Sequence, residues 1–128
     1  MLLFLDVISP IPEFCVIDDN KIILQQKITQ SETDKLSDNI IQTYIEIDKQ
    51  LNLTKNLKKI STKIGPGSYT SLRVGSAFIS GLMISRNIPY YPLTIEDILN
   101  LNAIKHSKKK LGVFITSSNN QKFFCYKT

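Results

Sequence analysis

Few residues in this chain are of a type that makes or breaks bonds. His106 is the single histidine. A Ser/His/Asp or Cys/His mechanism would have to use it, yet it stands in a lysine-rich turn with no acidic neighbour, so the geometry of a triad is not provided. Cys15 and Cys125 are the two cysteines. Each lies in an apolar, β-rich run, and no CxxC or CxxH spacing points to a structural zinc site. Asp6 closes the opening apolar run Met1-Leu2-Leu3-Phe4-Leu5. There it is either a carboxylate for metal or water, or the cap of the next turn, and the Asx-turn habit of Asp favours the cap. The stretch Gly65-Pro66-Gly67-Ser68-Tyr69-Thr70 joins a predicted strand to a predicted helix. Free N–H groups and the helix dipole make such a junction an anion site, here with Gly65, Gly67, Ser68, Thr70 and Arg73 as candidates. It is not a P-loop, because no Lys-Ser or Lys-Thr follows a second spaced glycine. The same residues would equally serve only to turn the chain. No catalytic residue and no metal ligand set is expected.

The elements that must position these residues are set by composition and periodicity. The 128 residues suffice for one domain, or one lobe plus the start of a second. Apolar residues make up 42% and charged residues 21%, the balance of a folded globular protein rather than a disordered or collagenous one. No apolar run approaches the roughly 18 residues of a membrane-spanning helix, and the first strand lacks the basic flank of a secretory signal. A cytoplasmic chain with reduced thiols is therefore expected. The formal charge is +5. Fourteen of the sixteen basic residues are lysine, and the two arginines are Arg73 and Arg86. That excess of lysine weakens a reading as a sequence-specific nucleic-acid binder, since arginine is the usual bidentate reader. The clusters Lys55, Lys58, Lys59, Lys63 and Lys105, Lys108, Lys109, Lys110 flank apolar runs, where lysines mark solvated strand ends.

Along the chain, residues 2–6, 13–17 and 21–28 predict three antiparallel strands linked by short turns. A helix follows, capped by Ser31 or Thr33, with Leu36, Ile40, Tyr44, Ile47 and Leu51 on one stripe and Ile41 and Ile45 widening it. Residues 57–64 predict a fourth strand. A second helix is expected from about Thr70 to Arg86, closed by Asn87 and Pro89. It is apolar or small on nearly all sides, so it should be buried all round, by its own domain or by another chain. Gly75 and Gly81 each cost about 1 kcal/mol of helix propensity, which a close backbone approach would explain. A strand over 88–93 and a third helix from Thr94 to about Lys105 come next, with Thr94 and Asp97 forming a capping box. Two strands, 110–116 and 121–127, close the order βββαβαβαββ. Tyr90, Tyr91, Phe123 and Phe124 alternate with apolar residues and are expected in the core.

One segment carries a resemblance. Gly65-Pro66-Gly67-Ser68-Tyr69-Thr70-Ser71-Leu72-Arg73-Val74-Gly75 resembles the GPGSFTGLRIG signature of the bacterial TsaB (YeaZ) family. Gly81-Leu82, Asn87-Ile88-Pro89, Leu93-Thr94-Ile95-Glu96 and the opening Leu3-Phe4-Leu5-Asp6 are similar to further stretches of that family, so the likeness spans most of the chain. It implies an α/β, ribonuclease-H-like lobe of the actin/Hsp70/sugar-kinase superfold with a mixed sheet, over residues 1–105. It also implies that 106–128 is the initial hairpin of a truncated second lobe. The family's members support synthesis of threonylcarbamoyladenosine in tRNA. They are a non-catalytic scaffold for the transferase subunit TsaD, working with the ATPase TsaE.

The resemblance further implies contact through the two helices, with the transferase or, in its absence, with a second copy. The residues so implicated are Leu36, Ile40, Tyr44, Ile47, Leu72, Gly75, Phe78, Ile79 and Met83, divided between core and interface. tRNA is an indirect partner, no membrane is involved, and no cofactor is expected beyond ATP at a complex interface. The chain departs from the family in several places. Val7 and Ile8 replace the Thr-Ser that follows the first Asp, removing the Gly-and-hydroxyl turn that related nucleotide-binding enzymes use to approach a phosphate. Thr33-Asp34-Lys35 stands where many members carry a His-Ser or His-Thr pair. Ser71 stands in place of Gly, and Thr116-Ser117-Ser118-Asn119 in place of Asp-Ala-Arg. The alternative is a nucleotide-binding or metal-dependent enzyme of the same superfold centred on Asp6. A basic RNA-binding module, using the lysine clusters, is the third reading.

Overall fold

The computed structural model describes residues 1–63, 65, 67–84, 86–94 and 97, and the backbone of 111–116 and 122–127. Strands β1 (Leu2–Asp6), β2 (Glu13–Asp18) and β3 (Lys21–Lys27) form an antiparallel meander. Helix α1 (Leu36–Leu51) and the single turn α2 (Leu53–Asn56) lead to β4 (Lys59–Lys63), which pairs parallel to β1. Helix α3 (Tyr69–Met83) leads to β5 (Tyr90–Leu93), parallel to β4. The five strands lie in the order β3-β2-β1-β4-β5. Strands β6 (Leu111–Thr116) and β7 (Lys122–Lys127) form an antiparallel sheet of their own, with Phe114 opposite Phe124.

Register decides which side chains form the core. Leu3 lies opposite Val16 and Ile60, and Leu5 opposite Phe14 and Thr62. With the two-residue alternation of a strand, Leu3, Leu5, Phe14, Val16 and Ile60 share one face, and all are fully buried. The stripe Leu36, Ile40, Tyr44 and Ile47 of α1 seals that face. Phe14, Tyr44 and Phe78 join sheet, α1 and α3 through ring centroids 5.3 to 6.1 Å apart. Cys15, one residue out of phase, lies buried towards the other face.

Several boundaries differ from the sequence reading. Helix α1 begins at Leu36, and neither Ser31 nor Thr33 caps it. Lys35 holds the cap position without a side-chain bond, while Asp34 Oδ2 accepts the Gln30 and Ser31 amides at 2.8 and 3.3 Å. The Asp binds the preceding loop instead of the helix, the local competition usual for short polar side chains. At its far end, α1 closes on Asn52 in the left-handed region (φ 52°), whose N–H donates to the Asp48 carbonyl at 2.7 Å. The fourth strand is Lys59–Lys63, because Leu53 is fully buried as part of the turn α2 and Leu57 follows it into the core.

Helix α3 stops at Met83, three residues before Arg86, where Ile84 turns extended. Burial on all sides is not found within this chain: among the described residues of α3 only Gly75 and Ile79 are buried, while Tyr69 and the following Ile84 are over 70% exposed. Neither helix glycine meets a neighbouring backbone. A Cβ at Gly75 would lie 3.1 Å from a Val7 methyl, and one at Gly81 would meet open space. Tyr90 and Tyr91 are exposed on the edge strand, not core. The Thr94–Asp97 box forms as expected: the Asp97 N–H donates to Thr94 Oγ1 at 3.0 Å and the Thr94 N–H to Asp97 Oδ2 at 2.9 Å. The rest of the third predicted helix, His106, the lysines 105–110, the turn 117–120 and the side chains of Phe123, Phe124 and Cys125 lie outside the described residues.

Candidate functional site

Two places gather the sequence-predicted residues: the corner after β1, and the outer surface of α1 and α3.

At the corner, parallel pairing of Leu5 with Thr62 sets Asp6 beside Lys63. The Asp6 carboxylate is engaged on both oxygens. Oδ1 accepts the Ile8 and Ser9 amides at 2.9 and 3.1 Å. Oδ2 accepts the Ser9 hydroxyl at 2.6 Å and the Lys63 ammonium at 3.1 Å. Burial opposes the charged form, but the Ser9 bonds and the Lys63 charge together outweigh it and hold the carboxyl below its ordinary value. Asp6 is thus the cap of the turn, the role favoured from sequence. Its partner Lys63 carries no local signal in the sequence. It is one lysine of a cluster, and only the β1–β4 pairing tells it from its neighbours.

The loop before α3 packs onto the same corner. Gly65 sits at φ +116°, a conformation that side chains rarely adopt. A Cβ at Gly67 would lie 3.2 Å from a methyl of Ile8. Ser68 caps α3: its hydroxyl accepts the Ser71 N–H at 3.4 Å, and its carbonyl accepts the Leu72 N–H at 3.0 Å. Thr70 is exposed, and the Arg73 guanidinium lies 5.5 Å from the centre of the exposed Tyr69 ring. The structure therefore brings Gly67 and Gly75 against Ile8 and Val7, while Thr70 and Arg73 point away on the helix surface. The methyls of Val7 and Ile8 fill the space that the glycines leave. Beyond them, a cleft of about 210 Å³ opens between α3 and strands β4 and β5, walled by Leu5, Val7, Leu72 and Ile79, with Lys63 and Tyr90 on its rim. The Thr62 and Tyr90 hydroxyls bond each other there at 2.6 Å. Among the described residues no three His, Cys, Asp or Glu side chains are grouped to hold a metal ion.

The nine helix residues named for core and interface differ in burial within this chain. Leu36, Ile40, Tyr44, Ile47, Gly75 and Ile79 are buried within the protomer, and Leu72, Phe78 and Met83 are half-buried. The solvent face is made by others. Ile41 and Ile45, 61% and 40% exposed, stand four residues apart beside the core positions Ile40 and Tyr44. On α3, Ala77 and Gly81 are exposed at the same spacing beside Phe78. At about 100° per residue, both strips turn outward from the Tyr44–Phe78 contact, so they flank one groove between the helices. The buried Tyr44 hydroxyl is satisfied by Thr54 Oγ1 at 2.8 Å, and burial pushes its pKa up. Sequence periodicity marks Ile41 and Ile45 as a widening of the stripe; Ala77 and Gly81 belong to the apolar or small residues of the second helix, with nothing in the pattern to set them apart from its core positions.

A mixed sheet in the order β3-β2-β1-β4-β5 with helical crossovers defines a ribonuclease-H-like lobe of the actin-like ATPase superfold. The chain belongs to the family described as TsaD, tRNA N6-adenosine threonylcarbamoyltransferase, which it matches over residues 23–127. This agrees with the TsaB (YeaZ) resemblance of the sequence. Among solved structures, YeaZ from Pseudomonas aeruginosa superimposes with a TM-score of 0.76 at 14% identity, covering 98% of this chain and 58% of that one. A protein described as similar to the peptidase YeaZ, from the same organism, gives 0.69 at 15% identity, covering 98% and 57%. A protein assigned as an N-acetylglucosamine kinase from Porphyromonas gingivalis gives 0.56 at 10% identity, covering 99% and 44%. This chain therefore spans somewhat over half the length of the YeaZ structures. No curated protein matches it significantly in sequence. No described helix is long and apolar enough to cross a membrane.

Proposed function

We propose that the chain is a non-catalytic subunit in the threonylcarbamoyladenosine modification of tRNA, and that it docks the TsaD-type transferase through the groove between α1 and α3. The observation that carries this reading is the exposed strip Ile41, Ile45, Ala77 and Gly81. Two large apolar side chains on α1 and two small residues on α3 are left without cover, a relief into which a partner helix can pack. Family membership supplies the reaction. The corner after β1 supports a scaffold role, because Asp6 has both oxygens engaged and the methyls of Val7 and Ile8 stand where a phosphate would need bare backbone. On this reading the chain works in the cytoplasm and binds no cofactor of its own. ATP enters with a TsaE-type ATPase at a complex interface, tRNA is met through the assembly, and a second copy occupies the groove when the transferase is absent.

The test is association with the cognate transferase subunit, measured by calorimetry or co-purification. Ile41→Glu with Ile45→Glu should weaken the complex at least about tenfold, while surface positions this exposed change stability by only about 0.5 kcal/mol. An unchanged affinity, or two folded subunits that form no complex, overturns the reading. Micromolar binding of ATP and Mg²⁺ by the chain alone would favour the nucleotide-binding alternative instead.

A further inference from the structure

Among the described residues, four basic side chains meet at one end of the sheet. Leu2 lies opposite Lys59 in the parallel β1–β4 pair. The Lys58 N–H donates to the Met1 carbonyl at 2.8 Å, and the Met1 ammonium donates to the Asn56 carbonyl at 2.9 Å. These links bring Lys55, Lys58 and Lys59 to the starting ends of the two central parallel strands. Arg86 reaches the same end by donating from Nη1 to the Thr54 carbonyl. The four side chains are exposed. Among the described residues, the acidic groups at that end are Asp18 and Asp19 at the β2–β3 turn and Asp48 of α1. Asp48 Oδ1 is already engaged by the Thr54 N–H at 2.7 Å. At the opposite end of these strands Lys63 is matched by Asp6. The cations at the Met1 end therefore exceed the facing acids, and Arg86 keeps further donors beyond the one it spends on Thr54.

We infer that this end, with Lys55, Lys58, Lys59 and Arg86, is a contact surface for the phosphate backbone of RNA. Phosphate contact needs point charges on a fixed frame and no base reading, which a lysine-rich patch supplies. An anionic membrane is the less suited polyanion. Surface binding to lipid usually employs a long amphipathic helix with an apolar face, and this patch is assembled from a single helical turn and a strand start. The inference rests on the tRNA-modification reading for the kind of RNA. It goes beyond that reading in giving the chain a direct contact of its own.

The experiment is fluorescence anisotropy of labelled, unmodified tRNA with the full chain, over about 50 to 200 mM salt. Two variants of equal charge loss are compared, Lys55→Gln/Lys58→Gln in the patch and Lys27→Gln/Lys35→Gln away from it, each checked for folding by circular dichroism. The patch variant should bind about tenfold or more weakly at the low end, and its plot of log affinity against log salt should be shallower by about 1.4 to 1.8. The distant variant should change affinity less than about twofold. The inference is overturned if the chain binds no tRNA at about 50 mM salt, or if both variants lose affinity equally, since net charge rather than place would then be responsible. It is also overturned if the patch variant loses binding to phosphatidylserine vesicles but keeps its tRNA affinity. Both variants retain Ile41 and Ile45, so failed docking of the transferase with patch-dependent tRNA binding intact would sink the docking proposal alone.

Discussion

Asp6 shows how one side chain can be read correctly in kind and incompletely in partners. An Asp at a strand end is a turn cap by habit, and the Ile8 and Ser9 amides supply that role. The ion pair with Lys63 depends on which strand lies beside β1, a long-range fact that no local pattern holds. The pair also sets a pH dependence. The folded carboxyl titrates below its ordinary value of 3.8, so its contribution is fully present above the unfolded pKa and is lost as pH falls through the lower, folded one. Asp6→Asn should cost about 1 to 3 kcal/mol near pH 7, and the difference from the parent chain should shrink once acid has protonated Asp6. Urea denaturation at neutral pH and at about pH 3 measures both. A variant that loses the same amount at both pH values would mean that the charge contributes nothing.

At the scale of elements, periodicity locates both long helices and the strands among the described residues, while their ends are set by chemistry that periodicity does not see. Helix α1 starts late because Asp34 spends its oxygen on the preceding loop, and α3 stops early, at Met83, before an extended Ile84. Gly75 and Gly81 looked alike in sequence and prove opposite in place. Gly75 faces the Val7 methyls, so Gly75→Val should destabilise by about 1 to 3 kcal/mol. Val7→Ala should recover at least about 1 kcal/mol of that in a double-mutant cycle, because the two sites touch. If the two costs simply add, the contact is not the cause. Gly81 faces open space on the outer surface of α3. Gly81→Ala should therefore stabilise the isolated chain by about 0.5 to 1 kcal/mol and yet weaken transferase binding, since a methyl would hold a partner helix away. Gains in both quantities would place the docking surface elsewhere.

For the whole molecule, the superfold lobe was legible from the order of elements and from the Gly65–Gly75 signature together. The division of the helix faces was not. A stripe that is wider than one sheet needs announces a second neighbour, but it does not say which residues meet the sheet. Tyr44 and Phe78 go inward because both rings pack on Phe14 of the sheet and on each other, and that leaves Ile41 and Ile45 outside. Packing in three dimensions settles this choice, and six of the nine expected helix residues fall on the inner side of it.

The burial of Cys15 in the middle of β2 has a practical use. Burial pushes its thiol up, away from the reactive thiolate, and Glu13 adds to the effect. A thiol-alkylating reagent can reach that sulfur only when the packing over that face of β2 opens. Its modification rate, followed by peptide mass spectrometry to separate it from Cys125, is thus a built-in clock for opening of that packing. Filling the α1–α3 groove with a partner should slow that clock by the fold-change in population of the opened state. Loading the basic end with RNA should slow it independently. One sulfur atom can then report on both proposed surfaces without any label being added to either.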